Sequence, residues 1–114
     1  MENNRRAFKR VPTSFLLSFN VNARPVDAVA QDISEDGMCV FSPQELPQGS
    51  RLNLKFKIFN DAEPIESQQV RHLEVQGKVC YSILEDADYR MGIQFVNIPE
   101  ADRRFIANFV ETNP

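Results

Sequence analysis

Hydrophobic and polar residues alternate along most of this chain, the two-residue period that sends side chains to opposite faces of a sheet. Residues 51–58 carry the alternation without a break: Leu52, Leu54, Phe56 and Ile58 interleave with Arg51, Asn53, Lys55 and Lys57. That pattern predicts a strand with one face in the interior and the other in water. Phe15, Leu17, Phe19 and Val21 share one parity of an earlier run, with Leu16 out of step. Leu73, Val75, Gly77, Val79, Tyr81 and Ile83 share one parity of a longer run, in which Gly77 is expected to permit a bend. Shorter runs at 26–33 and 38–41 flank Ser34-Glu35-Asp36-Gly37, a turn-forming cluster, and so predict a hairpin. A last strand at 89–96 puts Met91, Ile93 and Phe95 on one side. Pro43, Pro47 and Gly49 mark one connection, and residues 60–64 mark another.

The period then changes. Phe105, Ile106, Phe109 and Val110 recur at helical spacing, Pro99 suits a first helical turn, and Glu100 and Asp102 suit the positive end of a helix dipole. Six short strands followed by one amphipathic helix read as an all-β fold, an antiparallel barrel or sandwich with a C-terminal α-helix packed on it. A chain of 114 residues is one domain's worth. No internal repeat or low-complexity linker divides it.

Composition agrees with a folded domain, because 42% of residues are hydrophobic and 25% charged, far from the signature of disorder. No stretch approaches the roughly 20 apolar residues of a membrane helix, and the N-terminus lacks the apolar run of a secretory signal, so a cytoplasmic location is expected. Cys39 and Cys80 show no paired-ligand spacing and fall inside strand-like runs. Buried reduced thiols are expected there, with neither a disulfide nor a metal site. The net charge is −3, yet the first ten residues hold Arg5, Arg6, Lys9 and Arg10 against Glu2 alone. A cationic arm on an acidic body argues against binding of a nucleic-acid polymer, whose basic surface extends over a face of the fold, and suits a small anion better.

Catalysis has little to draw on. The one histidine, His72, falls on the polar parity of its strand. No phosphate-binding GxxxxGK[ST] loop, GxGxxG, HExxH or CxxC is present, and acidic pairs such as Asp86 and Asp88 read as solvated loop charge. An enzyme is not expected. Two clusters remain. Arg6 and Arg10, preceded by Arg5, form an RxxxR segment whose guanidiniums suit phosphate oxygens or the O6/N7 edge of guanine; the plainer reading is a solvated basic terminus. Asp32, Ser34 and Gly37 form a DxSxxG segment. Asp32 could accept hydrogen bonds from a guanine, Ser34 could donate and accept, and Gly37 could supply a positive φ or admit a ligand to the backbone; the plainer reading is a self-satisfied hairpin turn.

Taken together, RxxxR and DxSxxG, separated by residues 11–31, resemble the signature of the PilZ domain family. The resemblance extends through Lys78-Val79-Cys80-Tyr81, Met91-Gly92-Ile93-Gln94-Phe95-Val96 and the closing Phe105-Ile106-Ala107-Asn108-Phe109, and so covers essentially the whole chain. It implies a six-stranded antiparallel β-barrel (residues 13–98) with one C-terminal α-helix (99–112) and a flexible N-terminal arm (1–12), together a single domain spanning 1–114. It also implies a receptor for the bacterial second messenger cyclic di-GMP, with no cofactor. By the same resemblance Arg6 and Arg10 would grip phosphates and guanine edges, Asp32, Ser34 and Gly37 would form the pocket, and Tyr81 would contact a guanine, a core position for Tyr81 being the alternative. Arg5 implies two stacked ligand molecules per domain. Ordering of the arm would relay the signal to a downstream protein partner. Two alternatives are an adaptor of the same fold that binds no nucleotide, and a small barrel that binds single-stranded nucleic acid.

Overall fold

The computed structural model of the protein describes residues 8–59 and 70–113. Within them the chain runs β1 (Arg10–Pro12), β2 (Leu16–Val21), β3 (Arg24–Ser34), β4 (Gly37–Ser42), β5 (Arg51–Phe59), β6 (Val70–Glu85), β7 (Asp88–Val96) and α1 (Glu100–Thr112). The sheet order is β1-β3-β2-β5-β6-β7-β4, and a further β3–β4 pairing closes β2 to β7 into a six-stranded antiparallel barrel. Such closure leaves no long open sheet edge around the barrel waist.

Alternation decides what the barrel encloses. Leu52, Leu54, Phe56 and Ile58 of β5 are buried, as are Leu17 and Phe19 of β2, while Leu16 is exposed. The helix lays Ile106, Phe109 and Val110 into the same core. Pro99 precedes α1 as its N-cap rather than entering the first turn, with φ −60° and ψ 145°. Two contacts fix the helix from outside: Arg71 donates to Asp102 Oδ1 at 2.9 and 3.1 Å with its guanidinium carbon 5.4 Å from the Phe105 ring centroid. Arg103 pairs with Glu35 at 3.2 Å, tying the helix to the β3–β4 turn. No helix among the described residues is long and apolar enough to cross a membrane.

Three details depart from the alternation read in sequence. The segment expected as an arm ends in a strand, because Val11 is 1% exposed and pairs with Ile33 while Arg10 and Pro12 face outward. Strand β1 lies on the same edge of β3 as β2, since β4 takes the other edge at the same residues. Second, β6 shifts register between Val79 and Tyr81. That bulge inserts Cys80 and reverses the parity of everything after it. Tyr81 and Ile83, expected on the face of Leu73 and Val75, are instead 37% and 47% exposed, and Cys80, expected buried, is exposed. Third, Gly77 leaves room for its neighbours where the alternation calls for an inward side chain: a Cβ there would meet Ile93 Cγ2 at 2.6 Å and Leu54 Cδ1 at 3.1 Å.

Candidate functional site

Strand register assembles the site on the outer surface of the barrel. Pro12 of β1 is opposite Asp32 of β3, Asp32 opposite Cys39 of β4, Cys39 opposite Gly92 of β7, and Gly92 opposite Tyr81 of β6. Directly opposed residues share a face of a sheet, so this is one row crossing five strands. Arg10, two residues before Pro12 on β1 and directly opposite Ser34, reaches diagonally to Asp32, with Nη1 3.4 Å from Oδ1. Both side chains are about one-third exposed, at 34% and 31%. Arg10 of the RxxxR segment and Asp32 of the DxSxxG segment, 22 residues apart in sequence, therefore meet in space. Arg5 and Arg6 lie outside the described residues.

The far end of the row is built on a missing side chain. A Cβ on Gly92 would run into the Tyr81 ring, with Cζ 2.7 Å away. The ring thus lies flat over the β7 backbone, and its Oη comes 3.9 Å from Cys39 Sγ, which is itself 3.8 Å from Gln31 Oε1. A consistent chain has Tyr81 donating to the sulfur and the thiol donating to Gln31. Burial raises the Cys39 thiol above its ordinary range, opposed by the Tyr81 hydrogen bond; burial likewise raises the Tyr81 phenol, reinforced by Cys39. Both groups are neutral at pH 7, leaving Arg10, Asp32 and Arg90 as the charges around them. A raised pKa lowers the thiolate fraction at any given pH, and the thiolate is the nucleophile. Cys39, buried and raised, should be alkylated by iodoacetamide well after exposed Cys80 at pH 7.5, and should accelerate as the pH is raised. Mass spectrometry of a time course reads both rates, and equal rates at pH 7.5 would contradict the packing described.

Ser34 and Gly37 sit at the hairpin end of β3 and β4, where Ser34 is opposite both Arg10 and Gly37. Ser34 is 1% exposed, and its hydroxyl donates to Asp36 Oδ1 at 2.6 Å while accepting from the Asp36 N–H at 3.3 Å. The serine closes the hairpin turn beside the row. Gly37 has no positive φ, contrary to one expectation; its Cβ direction is filled by the Ile93 carbonyl oxygen, so close does β7 approach. Cys39, Gly92 and Arg90 were missed in the sequence reading. The parity of Met38 and Val40 does send Cys39 outward, but its covering by Tyr81 depends on the Cys80 bulge, which no local signal marks.

A cavity of about 510 Å³ opens elsewhere, between β2 and β5 beside Leu16, Asp27, Lys55 and His72. A second, of about 380 Å³, separates Phe8 and Lys9 from the last turns of α1.

The described residues form a small closed six-stranded barrel on which Arg10 of β1 lies beside Asp32 of an Asp-x-Ser corner. The family model of the PilZ domain matches residues 4–112, and the chain belongs to that family. Solved structures similar to it include the inhibitor of motility MotI/DgrA of Bacillus subtilis, with TM-score 0.79 and 15% identity over 94% of this chain and 50% of that one. YcgR of Escherichia coli in complex with c-di-GMP gives 0.73 and 14% over 95% and 45%. The PilZ domain of YcgR with c-di-GMP gives 0.70 and 12% over 95% and 90%. The chain thus spans about half the length of the first two. No curated protein sequence matches it.

Proposed function

We infer that this protein is a receptor for cyclic di-GMP, working by binding and not by catalysis. The observation that carries the reading is the approach of Arg10 to Asp32, which brings a phosphate-seeking fork beside a guanine-seeking carboxylate. Family membership and the c-di-GMP held by similar barrels support it. In this reading Arg6 and Arg10 take phosphate oxygens and guanine O6/N7, and Asp32 accepts from guanine N1–H and the exocyclic amine. Tyr81 offers an aromatic face, a contact worth about 1–3 kcal/mol for a stacked base. Ser34 and Gly37 hold the corner in shape; a direct bond from the Ser34 hydroxyl to ligand requires the turn to release Asp36.

Arg5 adds a third cation, which offsets the repulsion of four phosphate charges in a stacked pair of ligands, so two molecules bind per domain. Binding draws the segment carrying Arg5 and Arg6 onto the barrel next to α1, and the altered surface is what a downstream protein reads.

Titration calorimetry tests the central claim. Cyclic di-GMP should bind the full chain with two ligands per domain, whereas GTP and linear pGpG should give heats at least tenfold weaker in apparent affinity. Equal affinity for GTP would remove the selectivity on which the reading rests. A stoichiometry of one would remove the stacked pair and leave the rest.

A further inference from the structure

The β6–β7 hairpin outruns its neighbours. On one side of β6, strand β5 begins at Arg51, opposite Lys78, and the connection before it adds only Gly49 N–H to Val79 O (2.7 Å) and Val79 N–H to Ser50 O (2.9 Å). Beyond Val79 that edge of β6 meets no strand among the described residues. The edge is also apolar, with Ile83 47% and Leu84 63% exposed. Opposed pairs in an antiparallel ladder alternate between hydrogen-bonded and non-bonded. Glu85 and Asp88 close the two-residue turn, so the main-chain groups of Ser82 and Leu84 point away from β7, toward the open edge.

The charges at the two ends of this edge are opposite. At the turn Asp86 and Asp88 are exposed, and among the described residues neither has an ion pair. At the β5 shoulder Arg51 is exposed and Lys78 half-buried, again with no ion pair among the described residues. An edge that is acidic at one end and basic at the other is complementary to itself turned end for end. That is the requirement of a two-fold interface, in which one patch meets its own copy.

We propose that the open edge of β6, from Tyr81 to Glu85, pairs antiparallel with the same edge of a second copy of this chain, about a two-fold axis at Ile83. Ser82 and Leu84 of each copy exchange main-chain hydrogen bonds with Leu84 and Ser82 of the other. The two Ile83 side chains meet across the axis, which covers the apolar edge that would otherwise template indiscriminate pairing. The turn carrying Asp86 and Asp88 comes to the Arg51 and Lys78 end of the opposite copy. This pairing does not depend on the ligand reading.

Sedimentation equilibrium on the full chain, from micromolar to millimolar and without nucleotide, tests it. The weight-average mass should rise with concentration from 13.1 kDa toward twice that value. Ile83→Lys sets like charges directly opposite and should weaken association at least tenfold. Asp86→Lys and Arg51→Glu should each weaken it at least threefold, and the double variant should regain most of the loss. Circular dichroism checks that each variant is folded; should Ile83→Lys unfold, the charge-swap pair carries the test. A mass fixed at one chain throughout overturns the proposal, as does a dimer indifferent to these substitutions, which would sit on another surface.

Discussion

Replacing Gly37 by alanine should cost the fold about 3 kcal/mol, the upper end of what overpacking a rigid site does. The Cβ would be driven into the Ile93 carbonyl oxygen, with Gln94 Cα and the Ile93 carbonyl carbon each 3.3 Å from it. These are backbone atoms, so no side chain can swing clear. Strands β4 and β7 would have to part where Gly37 opposes Gln94 and where the Phe95 N–H donates to Asp36 O at 2.9 Å. Because β3–β4 and β4–β7 are both barrel seams, the strain falls on closure itself. For a domain of this size, about 3 kcal/mol lowers the melting temperature by roughly 12–20 °C. Thermal unfolding followed by circular dichroism gives the answer, and a midpoint within about 3 °C of the wild type would mean that β7 yields more easily than its position implies. The glycine of DxSxxG would then owe its place in the motif to something other than the approach of β7.

That glycine also shows which parts of the molecule were legible beforehand. The strands were readable wherever one face is buried and the other wet, as in β5, because the period of the side chains is the period of the environment. Where a bulge intervenes the reading slips by one residue: Cys80 sits in a run whose alternation looks unbroken, yet Tyr81 and Ile83 emerge on the opposite face. A bulge is set by its partner strand, and here the partner offers Gly92, whose bare backbone lets the Tyr81 ring lie down. Likewise the DxSxxG segment announced a tight turn, while the reason for its last residue lies 56 positions away at Ile93. The site was legible as two clusters of suitable chemistry. Their meeting depends on β1 adding to β3 beside β2, which the three residues Arg10–Pro12 do not announce and which the burial of Val11 brings about.

Arg10→Ala should weaken cyclic di-GMP binding by roughly 10- to 150-fold while leaving the melting temperature within about 2 °C. The two halves of this expectation have different physical origins. In the free protein the Arg10–Asp32 pair is 3.4 Å long and one-third exposed on both sides, a geometry in which solvent screening leaves at most about 1 kcal/mol. In the complex the same guanidinium donates to phosphate or guanine, and a hydrogen bond to a charged group is worth about 1.5–3 kcal/mol. Asp32→Ala should cost a comparable amount of affinity by stripping the guanine of its acceptor, again with little effect on folding. The double variant distinguishes shared from separate roles. If Arg10 also shields the Asp32 carboxylate from the ligand's two phosphates, removing Asp32 from a chain that already lacks Arg10 should cost less than removing it from the wild type, because an unshielded repulsion goes with it. Calorimetry on the four proteins, with thermal melts alongside, closes the cycle. Losses below threefold for both single variants would place the ligand away from this row, and a parallel fall in melting temperature would assign the pair to structure.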